Sequence, residues 1–269
     1  MTPLKPTDEQ LPNKHGGNNK VILQHSRVYR ETGSWTPAVH QFLAYLAEQQ
    51  FTGVPECLGM TPDGREILTL VAGEICDGHL AGPFASCDTL RSAAKFLRQL
   101  HDCSANWPEK ESHTGWMLPV REPVEVICHG DYAPYNVAFE GEQVVGLFDF
   151  DTAHPGPRIW DLAYAIYCWA PFKTHPDDAI GTLNEQISRA RLFCQAYGLA
   201  HQQRITLVDN MIERLTVLVN FMQVQAEQGN LDFQQHIAAG HHLAYLEDID
   251  YLTSNQNQIT QGLGNARTG

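Results

Sequence analysis

One stretch, from Val126 to Asp161, limits what this chain can fold into more than any other part of its sequence. It reads VICHGDYAPYNVAFEGEQVVGLFDFDTAHPGPRIWD. Apolar runs alternate here with polar side chains of the kinds found in catalytic and metal sites, which are His129, Asp131, Asn136, Asp149, Asp151 and Asp161. The apolar runs predict strands that enter a core, so the polar side chains would be held on a rigid frame.

The local pattern predicts how these side chains come together. Residues 124–128 favour a strand that stops at Gly130, and Gly130 and Pro134 favour a rigid loop over residues 131–136. Residues 137–139 and 144–148 then predict a hairpin that turns at residues 140–142 and returns the chain to its starting point. The loop that carries a carboxylate and an amide should therefore lie beside Asp149, at the end of the second hairpin strand.

Oxygen ligands of this kind suit Mg²⁺, which takes one or two protein ligands and leaves its other positions to phosphates and water. Asn136 and Asp149 fit that role. Asp131 could then orient a substrate hydroxyl and accept its proton, a contribution of about 10²–10⁴ in rate.

The spacing is that of a known template. Protein kinases carry H-R-D-x-x-x-x-N followed by a metal-binding D-F-G. The chain has HGDYAPYN at positions 129–136 and DFD at positions 149–151. With Gly in place of Arg, this arrangement resembles the aminoglycoside phosphotransferase and choline kinase family, which consists of small-molecule kinases with a protein-kinase-like fold.

The resemblance implies an α+β, two-lobed, protein-kinase-like fold with a small β-rich N-lobe (residues 1–73) and a larger, mainly helical C-lobe (residues 74–269). It implies Asp131 as the catalytic base, Asn136 and Asp149 as Mg²⁺ ligands, and ATP as the phosphoryl donor. The segment Asp161-Leu162-Ala163 matches the family's Asp-Leu-Ala, which implies that Asp161 braces the catalytic loop through hydrogen bonds.

Two residues of the stretch have more than one interpretation. His129 is interpreted as a histidine that packs the loop and not as a catalytic group. Asp151 stands where the kinase motif has Gly, so it could face the metal, bind substrate or cap a turn.

The resemblance also implies a nucleotide site in the N-lobe. Gly16 and Gly17 would lie over the phosphates and Arg30 would bind them, while Leu70 and Val71 would lie at the interlobe hinge, where the backbone would bind adenine. The family's helix supplies a Glu that pairs with the basic residue, but His40 stands at that position. Either another acid, such as Glu31 or Glu66, holds Arg30, or this region aligns differently with the family.

The amino-acid composition limits which binding partners the chain is expected to have. The chain has 31 acidic and 18 basic residues among 269, which gives a net charge of −13. We therefore expect no nucleic-acid binding, and an acidic surface could favour cationic acceptors. Seven scattered cysteines without a C-x-x-C pair favour free thiols in a reducing compartment, and no stretch reads as a signal peptide or membrane span, so we expect a cytoplasmic chain. The sequence leaves the oligomeric state open.

Two helices are predicted before the motif stretch, one capped by Thr36 with Pro37 as its first residue, and one capped by Asp88 that runs to about residue 102. The chain after this stretch predicts helices over residues 162–170, 179–197, 204–228 and 233–252, with a frayed polar tail after residue 252. Four aromatic residues are candidates either for the wall of the acceptor site or for the core, namely Trp160, Tyr164, Trp169 and Phe172. Small-molecule phosphorylation has two rivals, a nucleotide-binding regulatory protein with a degenerate site and a metal-dependent hydrolase. The sequence does not specify the acceptor.

Overall fold

A computed structural model describes residues 9–10, 21–76, 79–108 and 114–264 of the chain. It has a strand-rich N-terminal part and a larger, mainly helical C-terminal part, and it confirms the predicted α+β, two-lobed fold class. The strands are β1 (Glu9–Gln10), β2 (Ile22–Gln24), β3 (Arg27–Arg30), β4 (Cys57–Met60), β5 (Glu66–Thr69), β6 (Glu74–Ile75), β7 (Val126–Cys128), β8 (Val137–Glu140), β9 (Gln143–Leu147) and β10 (His154–Gly156). The helices are α1 (Thr36–Glu48), α2 (Cys87–Ser104), α3 (Arg158–Trp169), α4 (Leu183–Tyr197), α5 (His201–Arg204), α6 (Leu207–Glu227), α7 (Leu231–Ala238) and α8 (His241–Gly264).

The N-terminal part is an antiparallel sheet in the order β1-β2-β3-β5-β4, with α1 packed beside it. Helix α1 buries Val39, Phe42, Leu43 and Leu46, a spacing of three and four residues that places them on one helical face. A helix capped by Thr36 would begin at Pro37, but α1 begins one residue earlier. Thr36 is its first residue, and the Thr36 hydroxyl accepts a hydrogen bond from the Gly33 N–H at 3.0 Å.

The chain crosses from one lobe to the other at residues 70–73. Strand β5 belongs to the N-terminal sheet, whereas β6 pairs with β8 in a second sheet of order β6-β8-β9. Gly73 has a φ of +136°, and a Cβ atom there would lie 2.8 Å from the carbonyl oxygen of Phe139. Only glycine fits this crossing without strain. The lobe boundary at residue 73 stays a prediction.

The core of the helical part lies between α2, α3, α4, α6 and α8. Helix α2 is strongly amphipathic and buries Leu90, Leu97 and Leu100 without exposure. It begins at Cys87 and is capped by Ser86, whose hydroxyl accepts the Thr89 N–H, so Asp88 lies inside the first turn and is not the cap. These helices form the frame on which the site is built.

The C-terminal segment differs most from its prediction. The expected helix over residues 233–252 is broken at Gly240, which has a φ of +79°, and the expected frayed tail is wrong because α8 continues to Gly264. Leu252, Ile259 and Leu263 are fully buried and lie seven and four residues apart, on one helical face. Tertiary packing against α4 and α6 stabilises this polar-looking helix. Neither α8 nor any other helix in the described ranges is long and apolar enough to cross a membrane.

Candidate active site

The loop that follows β7 is held by Asp161, in the first turn of α3. The Asp161 carboxylate accepts the backbone N–H of His129 at 2.7 Å and that of Gly130 at 2.9 Å, and it contacts Nε2 of His101 at 3.0 Å. Burial by itself would raise the pKa of Asp161, but the His101 hydrogen bond and the loop amides outweigh it and hold the pKa at about 2. This geometry supports the bracing role that the resemblance implies.

His129 and Gly130 shape the start of the loop. The His129 ring is fully buried, with its Nε2 3.0 Å from the carbonyl oxygen of Phe148 and its edge against the ring of Phe150. Gly130 has a φ of +83°, and a Cβ atom there would lie 2.4 Å from the carbonyl oxygen of Thr152. The loop is therefore tight, and the contacts of His129 are those of a packing residue.

Asp131 is oriented by two neighbours from the same loop. The Tyr135 hydroxyl donates to Oδ1 at 2.8 Å, and Nδ2 of Asn136 donates to Oδ2 at 2.8 Å and to the Asp131 carbonyl oxygen at 2.9 Å. Burial raises the pKa of Asp131, although the hydrogen bond from Tyr135 opposes this change. The result is a fixed carboxylate with a stronger affinity for protons than a solvated aspartate has.

Asp131 faces a cavity of about 780 Å³, which we name the aromatic cavity. Its described lining includes Asp131, Tyr135, Trp160, Tyr164, Tyr167 and Arg214. Of the four aromatic residues with two possible roles, Trp160 and Tyr164 line this cavity, whereas Trp169 and Phe172 are fully buried in the core. The cavity is large enough for a small molecule.

Arg30, at the end of β3, pairs with three carboxylates, two of which, Asp149 and Asp151, belong to the C-terminal part. Its Nε donates to Glu66 at 2.8 Å, its Nη1 to Asp149 at 2.8 Å and its Nη2 to Asp151 at 2.5 Å. Burial disfavours the charged guanidinium, yet the attraction of Asp151, Asp149 and Glu66 raises the pKa of Arg30. Burial likewise raises the pKa of Asp151 to about 6, against the attraction of Arg30. The sequence did not predict the ion pair between Arg30 and Asp151.

Glu66, on β5, is the acid that holds Arg30 in this structure. It is almost fully buried, and its second oxygen lies 2.7 Å from Nε2 of His40 on α1. The other candidate, Glu31, lies 3.9 Å from Arg65 and is half exposed. A strand carboxylate bridged to a helix histidine thus stands where the family has a helix carboxylate.

The predicted nucleotide contacts are only partly described. Gly16 and Gly17 lie outside the described residues. The Leu70 N–H donates to the carbonyl oxygen of Ser26 at 3.1 Å, and Leu70 and Val71 line a second cavity of about 720 Å³ between the lobe crossing and the β8–β9 hairpin. Adenine binding at Leu70 and Val71 stays a prediction.

The predicted Mg²⁺ ligands offer suitable oxygen donors. Asn136 uses Nδ2 to bind Asp131, which leaves its Oδ1 as an acceptor, and the Asp149 side chain is 47% exposed with only Oδ1 paired to Arg30. Asp149 has a φ of +65°, an uncommon conformation for a residue other than glycine. Two oxygen ligands fit Mg²⁺ bound mainly through phosphates. Nowhere in the described ranges do three or more His, Cys, Asp or Glu side chains form a group that could hold a metal.

Several residues of the site were not predicted from the sequence. Tyr135 contacts Asp131, and Arg214 on α6 donates from Nη2 to the carbonyl oxygen of Gly130 at 2.7 Å. Tyr135 could have been found from its position inside the loop motif. Arg214 lies 84 residues after Gly130, on a helix that has no motif, so no sequence signal pointed to it.

A family comparison matches part of the chain. The model of the family described as "Phosphotransferase enzyme family" matches residues 106–197, which include the loop and the hairpin described above. A protein of Deinococcus radiodurans, described as uncharacterized, is 51% identical over 43 residues. That match covers 16% of this chain and 12% of the length of the Deinococcus protein.

Solved structures share the fold over nearly the whole chain. A choline/ethanolamine kinase family protein from Mesorhizobium loti has a TM-score of 0.61 at 16% identity and covers 96% of this chain and 92% of its own. The ethanolamine kinase of Plasmodium vivax has a TM-score of 0.59 at 14% identity. The match covers 94% of this chain and 81% of the Plasmodium chain. The GDP complex of wild-type aminoglycoside 2'-phosphotransferase-IIIa has a TM-score of 0.55 at 13% identity. The match covers 94% of this chain and 93% of the phosphotransferase chain.

Together the comparisons confirm the resemblance that the motifs indicated. The family match confirms the likeness to phosphotransferases, and the structural neighbours confirm the kinase-like two-lobed fold. They also support the prediction that the chain is an enzyme of the small-molecule kinase class.

Proposed function

We propose that this chain transfers the γ-phosphoryl group of ATP, with Mg²⁺, to a hydroxyl group of a small molecule. One observation carries the proposal. The Asp131 carboxylate is fixed by Tyr135 and Asn136 at the wall of the aromatic cavity, and Asn136 is one of the two oxygen ligands that a metal–nucleotide complex would need. A base, a metal-ligand pair and an acceptor cavity are the parts that phosphoryl transfer requires.

In the proposed reaction the acceptor lies in the aromatic cavity. Its hydroxyl oxygen attacks the γ-phosphorus of ATP, the hydroxyl proton passes to Asp131, and the bond to the leaving oxygen breaks with its electron pair going to ADP. Positioning and charge neutralisation provide most of the rate enhancement in such reactions. Bound Mg²⁺, held by Asn136 and Asp149, would neutralise charge that develops on the phosphates.

The structural neighbours support a small molecule as the acceptor and a nucleotide as the donor. The three neighbours described above are named as a choline/ethanolamine kinase family protein, an ethanolamine kinase and an aminoglycoside phosphotransferase, and these names refer to small molecules with hydroxyl groups, which supports a small-molecule acceptor here. One of them binds GDP, which supports nucleotide use. We propose ATP as the donor, and a comparison of ATP with GTP in the transfer assay tests this choice.

Asp131→Asn tests the proposed base. The amide keeps the size of the side chain but cannot take the hydroxyl proton at neutral pH, so we expect kcat for transfer to fall by at least about 100-fold. Binding of Mg²⁺–ATP, measured by calorimetric titration, should change little. Asp88→Asn, an exposed acid in the first turn of α2, is the matched control and should keep full activity.

A transfer rate near that of the wild type for Asp131→Asn would refute the base assignment. Nucleotide binding without turnover on any acceptor would instead favour the regulatory rival. That rival rested on His40 standing in place of an acid, and the ion pair between Glu66 and Arg30 supplies the acid from another element.

A further inference from the structure

The wall of the aromatic cavity is positively charged, although the chain carries a net charge of −13. Arg121, Lys173 and Arg214 line it. Its acids, among the described lining residues, are Asp131 and Asp178. Asp178 lies 3.0 Å from Nδ1 of His79, and Asp131 is the proposed base. The charge of the cavity is therefore opposite to the charge of the whole molecule.

Arg214 is the most informative of the three cations. It is only 5% exposed. Its Nη2 donates to the carbonyl oxygen of Gly130, whereas its buried Nε makes no hydrogen bond with the described residues. Within the described ranges its guanidinium forms no ion pair. A buried charge without an opposite charge is costly, because the protein interior solvates it poorly. An anion bound in the cavity would complete this site.

Lys173 and Arg121 add to the same field. The Lys173 ammonium lies 5.6 Å from the ring centre of Tyr167 and has no carboxylate partner in the part of the chain that the structure describes. Arg121 pairs at 2.9 Å with Glu213, whose side chain is 58% exposed, so that pairing is largely screened by water.

The aromatic rings argue against a cationic acceptor. Rings that bind a cation need an open face, but here the protein's own cations already cover these faces. The Arg121 guanidinium lies 3.6 Å from the ring centre of Trp160, and that of Arg214 lies 4.6 Å from the ring centre of Tyr164. An ammonium ligand would find the rings of Trp160 and Tyr164 already paired with cations and would be repelled by like charges.

We propose that the acceptor carries an anionic group, a carboxylate or a phosphate, in addition to the hydroxyl that is phosphorylated. This inference rests on the proposed function and specifies its substrate class. The anion binds Arg214, with Lys173 and Arg121 contributing to the field, while the hydroxyl faces Asp131. Arg214 is bonded to Gly130, the residue before Asp131, so the anion site lies next to the proposed base. A single compact molecule can therefore place its anionic group at Arg214 and its reacting hydroxyl at Asp131. The cationic acceptors that the acidic composition favoured would be excluded.

Matched compounds that differ in charge test the proposal. One set is glycerate, glycerol and serinol, and a second is glucuronate, glucose and glucosamine; glycerol 3-phosphate distinguishes a phosphate from a carboxylate. We expect kcat/KM for the anionic member of at least one set to exceed that of its neutral and cationic partners by about tenfold or more, as one charge-assisted contact would give. A preference for the neutral or cationic members would overturn the inference and leave phosphoryl transfer standing.

Variants assign the effect to the cavity. Lys173→Gln should reduce kcat/KM for the anionic compound by a clearly larger factor than kcat/KM for its neutral partner, and Lys173→Glu should widen this difference. Arg91→Gln removes an exposed cation elsewhere, on α2, and should change neither rate. Equal effects of Lys173→Gln on anionic and neutral compounds would contradict the proposal.

A binding measurement separates this inference from the proposed function. The shift in Tm that each compound produces in the presence of Mg²⁺–ADP reports binding without turnover. If no compound is phosphorylated but the anionic members alone raise Tm, and do so less in Lys173→Gln, the charge preference holds and the proposed reaction fails. If the anionic members raise Tm no more than their partners do, the inference is overturned.

Discussion

Asp131 combines two environments that act on its pKa in opposite directions. Burial raises the pKa, whereas the hydrogen bond from Tyr135 favours the charged form and lowers it. A general base must be deprotonated to act, so kcat/KM should rise with pH as Asp131 loses its proton. If Asp131 is the base, as proposed, the Tyr135 hydroxyl should therefore extend activity to lower pH.

Tyr135→Phe tests this role at the level of one atom. Without the hydroxyl the carboxylate keeps the donor from Asn136 but loses the one from Tyr135, so the pKa of Asp131 rises further and the acid limb of the profile of kcat/KM against pH should move to higher pH. Tyr45→Phe, which removes a hydroxyl bonded to the carbonyl oxygen of Cys103, is the control and should leave the limb unchanged. A limb that stays in place or moves to lower pH in Tyr135→Phe would contradict this account.

At the scale of secondary structure, the loop is supported from two sides. Strand β7 pairs with β10, and α3 places Asp161 under the loop amides. Arg214 reaches the same loop from α6, and α8 packs against α6 from behind. Helix α8 therefore supports the site indirectly, although the sequence predicts a helix only as far as residue 252 and a frayed polar tail after it.

Ile259→Ala tests whether the last turns of α8 belong to the fold. Ile259 is fully buried, so its truncation should lower the free energy of unfolding by about 2–5 kcal/mol, measured by urea denaturation. Asn257→Ala, on the exposed side of the same helix, should lower it by less than about 0.5 kcal/mol. An Ile259→Ala protein as stable as the wild type would mean that this segment is frayed in solution.

At the scale of the whole molecule, Arg30 is the charged link between the lobes. It belongs to the N-terminal sheet, as does Glu66, while Asp149 and Asp151 belong to the C-terminal part. The side chains of Arg30 and Glu66 are 11% and 2% exposed, so these charges are poorly solvated. Each of these poorly solvated charges is stabilised by the opposite charge that lies beside it.

Arg30→Gln should destabilise the protein in a pH-dependent way. It leaves Glu66 and Asp151 buried without their cation, which costs about 3 kcal/mol. Without Arg30 the pKa values of both carboxyl groups rise, so the folded variant binds protons more tightly than the unfolded chain does, and its stability falls as pH increases. The deficit in Tm should therefore be larger at pH 8 than at pH 5.

Arg27→Gln on the same strand, where the side chain is exposed, is the control and should show little change in Tm at either pH. A deficit for Arg30→Gln that is the same at both pH values would show that the carboxylates remain paired without it.

The kinase-like fold and the core of the candidate site could be predicted because the informative residues are close in sequence. Asp131, Asn136 and Asp149 are joined by one loop and one hairpin, and such short connections leave few ways to arrange them. The apolar periodicity of α1 and α2 was sufficient to predict both helices, with their starts misplaced by one or two residues.

The sequence by itself thus determined the loop and the hairpin, where local chain geometry brings the polar groups together. Only the tertiary structure decided that Glu66 holds Arg30, that α8 is buried against α4 and α6, and that Arg214 and Lys173 face the aromatic cavity beside Asp131. These contacts join segments tens of residues apart and depend on how helices and sheets pack. That packing follows from burying many apolar faces at once, so no local pattern contains it.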